Sequence, residues 1–313
     1  MSRPAVTAVT AADGARIATH DLGGSGPPLV AAHAAGFHGL VLGPLARHLA
    51  PDFHVIAFDS RGHGDSRLPP GPALDWYGLA TDVLAVVDGL GLHHPFGFGH
   101  SSGGTAVLMA EQARPGTFAA IYCYEPVIVP ADPPLGRDED SWLAAQVRRR
   151  RTTFASREEA RQHYASKPPL DALDPDALRA YVDHGFADTG DGRMRLKCHP
   201  DDEAQVYEMA TAHDAYTRLP EVGCPVTVAC GSASDGCSPK RGRTHAERLP
   251  AGRHEELAGL GHFGPLQDPA AVATSVRRAF AAVRRRRPPG TGDHGGGGSP
   301  TAAGADRPPP PPR

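Results

Sequence analysis

Five short apolar runs, at residues 28–33, 54–58, 95–99, 119–124 and 225–230, each end in turn-forming residues. Runs of this length bounded by turn signals suit strands buried on both faces. Helix-length segments at 40–49, 76–90, 103–112 and 268–283 lie among them. Strands alternating with helices predict an α/β fold, in which a mostly parallel sheet is covered on both faces. Two further runs, 5–10 and 15–21, are joined by Asp13-Gly14 and read as a β-hairpin. The alternation breaks between about 129 and 220, a stretch rich in Arg, Asp and Pro with helical patches at 141–154, 157–164 and 175–185. This predicts a helical insertion over 129–220 that divides the core into 1–128 and 221–283. Ligands of open α/β sheets bind beyond the carboxyl ends of the strands, so an insertion leaving one of those ends would roof the crevice.

After Val283 the chain runs into Arg, Pro and Gly without apolar periodicity, so 284–313 is expected to be a disordered tail. The formal net charge of −3 gives no global attraction for nucleic acid or an anionic membrane. The N-terminal twenty residues are broken by Arg, Asp and His, so neither a signal core nor a spanning segment is expected there. Five cysteines, at 123, 198, 224, 230 and 237, form no CxxC pair and read as reduced thiols. A cytoplasmic protein with no membrane association and no nucleic-acid partner follows as the expectation, its oligomeric state left open.

The sharpest local signal is Gly97-Phe98-Gly99-His100-Ser101-Ser102-Gly103-Gly104, where Gly99, Ser101 and Gly103 satisfy G-x-S-x-G between a strand and a helix. Such a turn lifts the Ser101 hydroxyl above the sheet and aims the Ser102 N–H toward an oxyanion. The bland reading is a glycine-rich helix cap. A serine hydroxyl is a poor nucleophile until a base takes its proton. Gly261-His262-Phe263-Gly264, a glycine-bounded turn before the last helix, supplies His262. The imidazole needs an acid to fix its tautomer. Asp235, a few residues beyond the 225–230 strand, is the candidate, and Glu125, just after the 119–124 strand, is the rival. A second oxyanion donor is expected in His33-Ala34-Ala35-Gly36-Phe37-His38-Gly39, with the Ala35 N–H favoured. His93, His94 and His100 form no metal-ligand spacing, so neither a metal nor a cofactor is expected. The insertion offers Trp142, Phe154, Tyr164, Tyr181, Phe186, Met194, Tyr207 and Met209 as pocket walls or as its own core; the sequence places no basic cluster at the pocket, so an anionic substrate is not indicated.

Taken together, HAAGFHG, DSRGHGDS, GHSSGG, GSASD and GLGHFGP resemble the successive signatures of the α/β-hydrolase superfamily over about residues 5–283. Two segments depart from its pattern: HAAG stands where the superfamily has HG-x-P, and the acid segment is one residue longer than G-x-x-D. In the superfamily, DSRGHGDS corresponds to a tight turn whose polar residues lock a loop. Serine at the elbow, rather than aspartate, argues against dehalogenase or epoxide-hydrolase chemistry. The resemblance implies an α/β-hydrolase fold with a cap, and hydrolysis of an ester or related acyl substrate, a small carbonyl compound, through an acyl-enzyme. It leaves open thioesterase, lactonase, carbon–carbon hydrolase and cofactor-free haloperoxidase-like activities, and a ligand receptor that keeps the triad.

Overall fold

The computed structural model describes residues 6–69, 71, 74–130, 136–138 and 141–286; of the tail expected at 284–313, residues 287–313 lie outside the described residues. Its first strands, β1 (Val6–Thr10) and β2 (Arg16–Asp21), form the expected antiparallel hairpin around Asp13-Gly14. Six more strands complete one sheet: β3 (Pro28–Ala32), β4 (His54–Phe58), β5 (Phe96–His100), β6 (Ala120–Tyr124), β10 (Val226–Gly231) and β11 (Gly252–Leu257). The order across it is β1-β2-β4-β3-β5-β6-β10-β11, parallel from β4 onward. Every residue of β5, β6 and β10 is buried, as a strand covered on both faces requires.

Helices cover the two faces. On one, α1 (Gly43–Leu49) and α10 (Pro269–Arg286) pack Leu45, Val276 and Phe280 over Phe53 and Phe96. On the other, α2 (Trp76–Gly89) and α3 (Ser102–Ala113) bring Val83, Val86 and Val107 against Val30 and Ile121. The core break expected after Val283 falls inside α10, where Arg284 still pairs with Asp52 at 2.6 Å and lies over the Phe53 ring.

The insertion carries α4 (Trp142–Arg148), β7 (Thr153–Phe154), α5 (Arg157–Ala165), α6 (Pro175–Gly185), β8 (Phe186–Asp188), β9 (Met194–Leu196) and α7 (Pro200–Glu208). It is therefore not wholly helical: β7, β9 and β8 make a small antiparallel sheet, and the helix expected over 141–154 ends at Arg148. Phe154, Tyr164, Tyr181 and Phe186 are buried together as its core, while Trp142 is exposed. It meets the main body where Tyr181 packs on Phe37, Asp174 N–H donates to the Leu266 carbonyl and Lys197 pairs with Asp65. The chain then returns through α8 (Pro239–Arg248), between β10 and β11, and the single-turn α9 (Gly264–Gln267) before α10.

Register decides what the fold brings together. Ala32 stands beside Gly99, His100 beside Tyr124, Tyr124 beside Ala229, and Gly231 beside Leu257. Parallel strands aligned at their carboxyl ends deliver the following loops to one place. No described helix is long and apolar enough to cross a membrane.

Candidate active site

At the end of β5 the chain turns so sharply into α3 that Ser101 takes φ 53°, ψ −119°, a conformation non-glycine residues rarely hold. The flanking glycines permit the turn because the elements nearly touch. A Cβ on Gly99 would stand 2.5 Å from Gly104 Cα, and one on Gly103 would stand 2.5 Å from the His33 carbonyl oxygen. The Ser101 hydroxyl meets His262 Nε2 at 3.1 Å. His262 Nδ1 meets Glu125 Oε2 at 2.7 Å.

Both ring nitrogens of His262 are thus engaged, and the acid beside it is Glu125, not the favoured Asp235. Asp235 is exposed on the loop after β10, whose inward side chain is its neighbour Ser234. That hydroxyl donates to Glu125 Oε2 at 2.7 Å, and the Gly231 N–H donates to Oε1 at 2.9 Å. Glu125 itself sits at φ 47°, directly after β6, with its N–H on the Ala229 carbonyl.

The histidine loop is fastened from below. Tyr124 Oη donates to the Gly261 carbonyl at 2.7 Å, and the His100 ring meets the His262 carbonyl at 2.8 Å through Nε2. Burial drives the His100 pKa down to about 3, so its ring is neutral and Nε2–H donates. Tyr124, His100 and Ser234 carry no motif of their own; their only sequence signal is standing next to Glu125, Ser101 and Asp235.

Ser102, the first residue of α3, has a backbone N–H outside the helical ladder. Ala35 is buried in the turn after β3, the strand beside β5. The geometry of that turn is set by His33, whose Nδ1–H donates to the Ala34 carbonyl while Nε2 accepts from the Ser60 N–H. The DSRGHGDS segment locks the neighbouring loop. Asp59 accepts from the Gly39 and Asp65 N–H groups, Ser66 Oγ donates to the Asp59 carbonyl, and Arg61 grips Asp82 with two nitrogens. Among the described residues no group of three or more His, Cys, Asp or Glu side chains is disposed to hold a metal. A cavity of about 270 Å³ beside Val226, Gly252 and Phe280 opens at the opposite, amino-terminal ends of the strands, away from Ser101.

A doubly covered, mostly parallel sheet with a strained serine between β5 and α3 defines the α/β-hydrolase fold. Residues 17–275 match the model of the alpha/beta hydrolase family, and the chain belongs to that family. It is similar to the esterase YbfF of Escherichia coli (strain K12), 24% identical over 261 residues, covering 80% of this chain and 92% of that protein. Among solved structures, E-2-(acetamidomethylene)succinate hydrolase aligns with a TM-score of 0.76 and 20% identity, covering 88% of this chain and 100% of that one. The peroxisomal α/β-hydrolase Lpx1 of Saccharomyces cerevisiae aligns at 0.75 and 19%, covering 94% and 89%.

Proposed function

We propose that the protein is a serine hydrolase that cleaves a small carboxylic ester or related acyl substrate through an acyl-enzyme, with Ser101, His262 and Glu125 as its triad. The observation that carries this reading is the unbroken hydrogen-bonded line from Glu125 through His262 to the Ser101 hydroxyl. Ser101 Oγ attacks the carbonyl carbon as His262 Nε2 takes its proton, and Glu125 stabilises the imidazolium at Nδ1. The Ala35 and Ser102 N–H groups receive the oxyanion. Collapse expels the leaving group, which takes the proton back from His262. Water, deprotonated by the same imidazole, then releases the acid. The insertion acts as a cap over this end of the sheet.

The test is turnover of p-nitrophenyl acyl esters by the wild type and by Ser101→Ala. Multiple turnovers are expected, with the variant near background; more than about a tenth of the rate remaining would remove Ser101 from its role. A single stoichiometric burst without turnover would point to a ligand receptor instead.

A further inference from the structure

Above the oxyanion loop the insertion places an ion pair, its carboxylate buried and its guanidinium partly so, that the triad does not use. Arg150, just after α4, donates from Nη2 to Glu203 Oε1 at 2.5 Å, and its Nη1 reaches the Tyr181 hydroxyl at 3.4 Å. Glu203, in the first turn of α7, is 2% exposed. Its carboxylate rests on Gly36, the residue after Ala35: a Cβ there would stand 2.3 Å from Oε1 and 2.9 Å from Oε2. At φ 79° Gly36 turns the chain and leaves the space that this carboxylate fills. Glu203 Oε2 is buried with no hydrogen-bond partner in the protein. A buried acceptor left unpaired destabilises the fold, and more so when it is charged, a loss that a donor brought by a ligand would recover.

The charge balance says which donor. Arg150 and Glu203 cancel, so an ammonium group entering here would face the guanidinium, and a carboxylate would face Glu203. A neutral hydroxyl meets neither objection. It gives its proton to Oε2, and its oxygen can accept one of the guanidinium N–H groups, five of which Arg150 carries.

We propose that Arg150 and Glu203 form a specificity subsite for a neutral hydroxyl group near the scissile carbonyl, so that the preferred substrates are hydroxylated esters. This rests on the acyl-hydrolase reading above and deepens it. A site built to bond a substrate hydroxyl discriminates strongly against the isostere without one, because the buried acceptor is then left unpaired.

The experiment uses ester pairs in which a hydroxyl replaces a methyl: p-nitrophenyl 2-hydroxypropanoate against 2-methylpropanoate, p-nitrophenyl 3-hydroxybutanoate against 3-methylbutanoate, and 2-hydroxyethyl butanoate against propyl butanoate. In the wild type the hydroxyl member of at least one pair is expected to lead in kcat/KM by about 10- to 100-fold, as a hydrogen bond to a charged acceptor gives. Glu203→Gln keeps an oxygen for Arg150 and puts an NH2 group where Oε2 stood, and should bring that ratio to within about threefold. Calorimetry on Ser101→Ala with 3-hydroxybutanamide and 3-methylbutanamide, and with 2-hydroxypropanamide and 2-methylpropanamide, reads the subsite without turnover, and tighter binding of a hydroxylated amide is expected. The proposal is overturned if no pair favours the hydroxyl, if the preference survives Glu203→Gln, if the amides bind equally, or if mono-p-nitrophenyl succinate outruns every hydroxylated ester. Failure of the parent reading looks different: no ester turns over, or turnover survives Ser101→Ala, while the amides still report on the subsite.

Discussion

The Glu125 carboxylate accepts from three donors, the Gly231 N–H, the Ser234 hydroxyl and His262 Nδ1–H, and donates to none. An amide in its place must turn its NH2 group toward at least one of them. Glu125→Gln should therefore lower kcat by about 1,000- to 10,000-fold, as loss of the triad acid does in serine proteases. It should also cost stability by roughly 1–3 kcal/mol, because one buried donor is left unpaired. Asp235→Asn, at an exposed position, should leave kcat within about twofold. Steady-state kinetics with thermal melts on both variants decide the matter, and reversed phenotypes would return the acid to Asp235. Ser101 and His262 were legible in the sequence because glycine-bounded turns announce them. The acid was ambiguous because a motif places a residue near a strand end without saying which way its side chain points. In the longer loop after β10 it is Ser234 that turns inward, and Glu125 reaches the imidazole from the neighbouring strand, its three-bond side chain spanning the gap.

Among the elements, the β5–α3 elbow tolerates the least change. A methyl group on Gly103 would press on the carbonyl oxygens of His33 and Ala32, which are backbone atoms of the adjoining β3 end and cannot swing aside. Gly103→Ala should lose about 1–3 kcal/mol of unfolding free energy, the usual cost of overpacking, and should lose activity by more than its folded fraction explains. Chemical denaturation beside rate measurement checks this, and a variant with wild-type stability and rate would show that the elbow has slack. The same packing logic separates the elements that could be read from those that could not. Strands β5, β6 and β10, buried at every residue, appear in the sequence as short uncharged runs, largely apolar apart from Thr227 in β10 and His100 at the end of β5. Strand β11 reads GRHEEL because it is the sheet edge, with only Leu257 buried. Helix α8, PKRGRTHAER, buries only Gly242, His245 and Ala246, so its amphipathic signal rests on three small or polar residues. The strands of the insertion, two or three residues long, are too short to show a period of two. Nothing in the run Arg148-Arg149-Arg150-Arg151 marks one arginine apart from its neighbours, yet Arg150 lies beyond the end of α4 and turns inward to Glu203.

At the scale of the whole molecule, the buried histidines set how stability depends on pH. His33, His38, His100 and His245 come from separate parts of the chain and are each nearly inaccessible. Burial pushes the pKa of His33 and His245 down to about 4, and that of His38 and His100 down to about 3, from an ordinary value of 6.5. Between those values and 6.5 the unfolded chain binds more protons than the folded one, so stability falls as pH falls. Above 6.5 both states carry these rings neutral and the dependence vanishes. At pH 5 each histidine should cost on the order of 1–2 kcal/mol, so the four together draw on much of the 5–15 kcal/mol typical of a domain. The carboxyls that burial pushes up act in the opposite sense: Asp82, raised to about 6, takes up a proton in the folded chain within this interval, and Asp202 and Glu203 are raised as well, so together they offset part of the loss. The melting temperature should accordingly be level above about pH 7 and fall steeply between 6.5 and 5. His245 lies in α8, outside the hydrogen-bonded line to Ser101, and His63 and His213 are also buried with their pKa pushed down, so His245→Gln should make that slope shallower by somewhat less than about a quarter. A melting temperature unchanged from pH 7.5 to 5 would mean that these rings are protonated in the folded state, and that the neutral His100 donating to the His262 carbonyl is wrongly assigned.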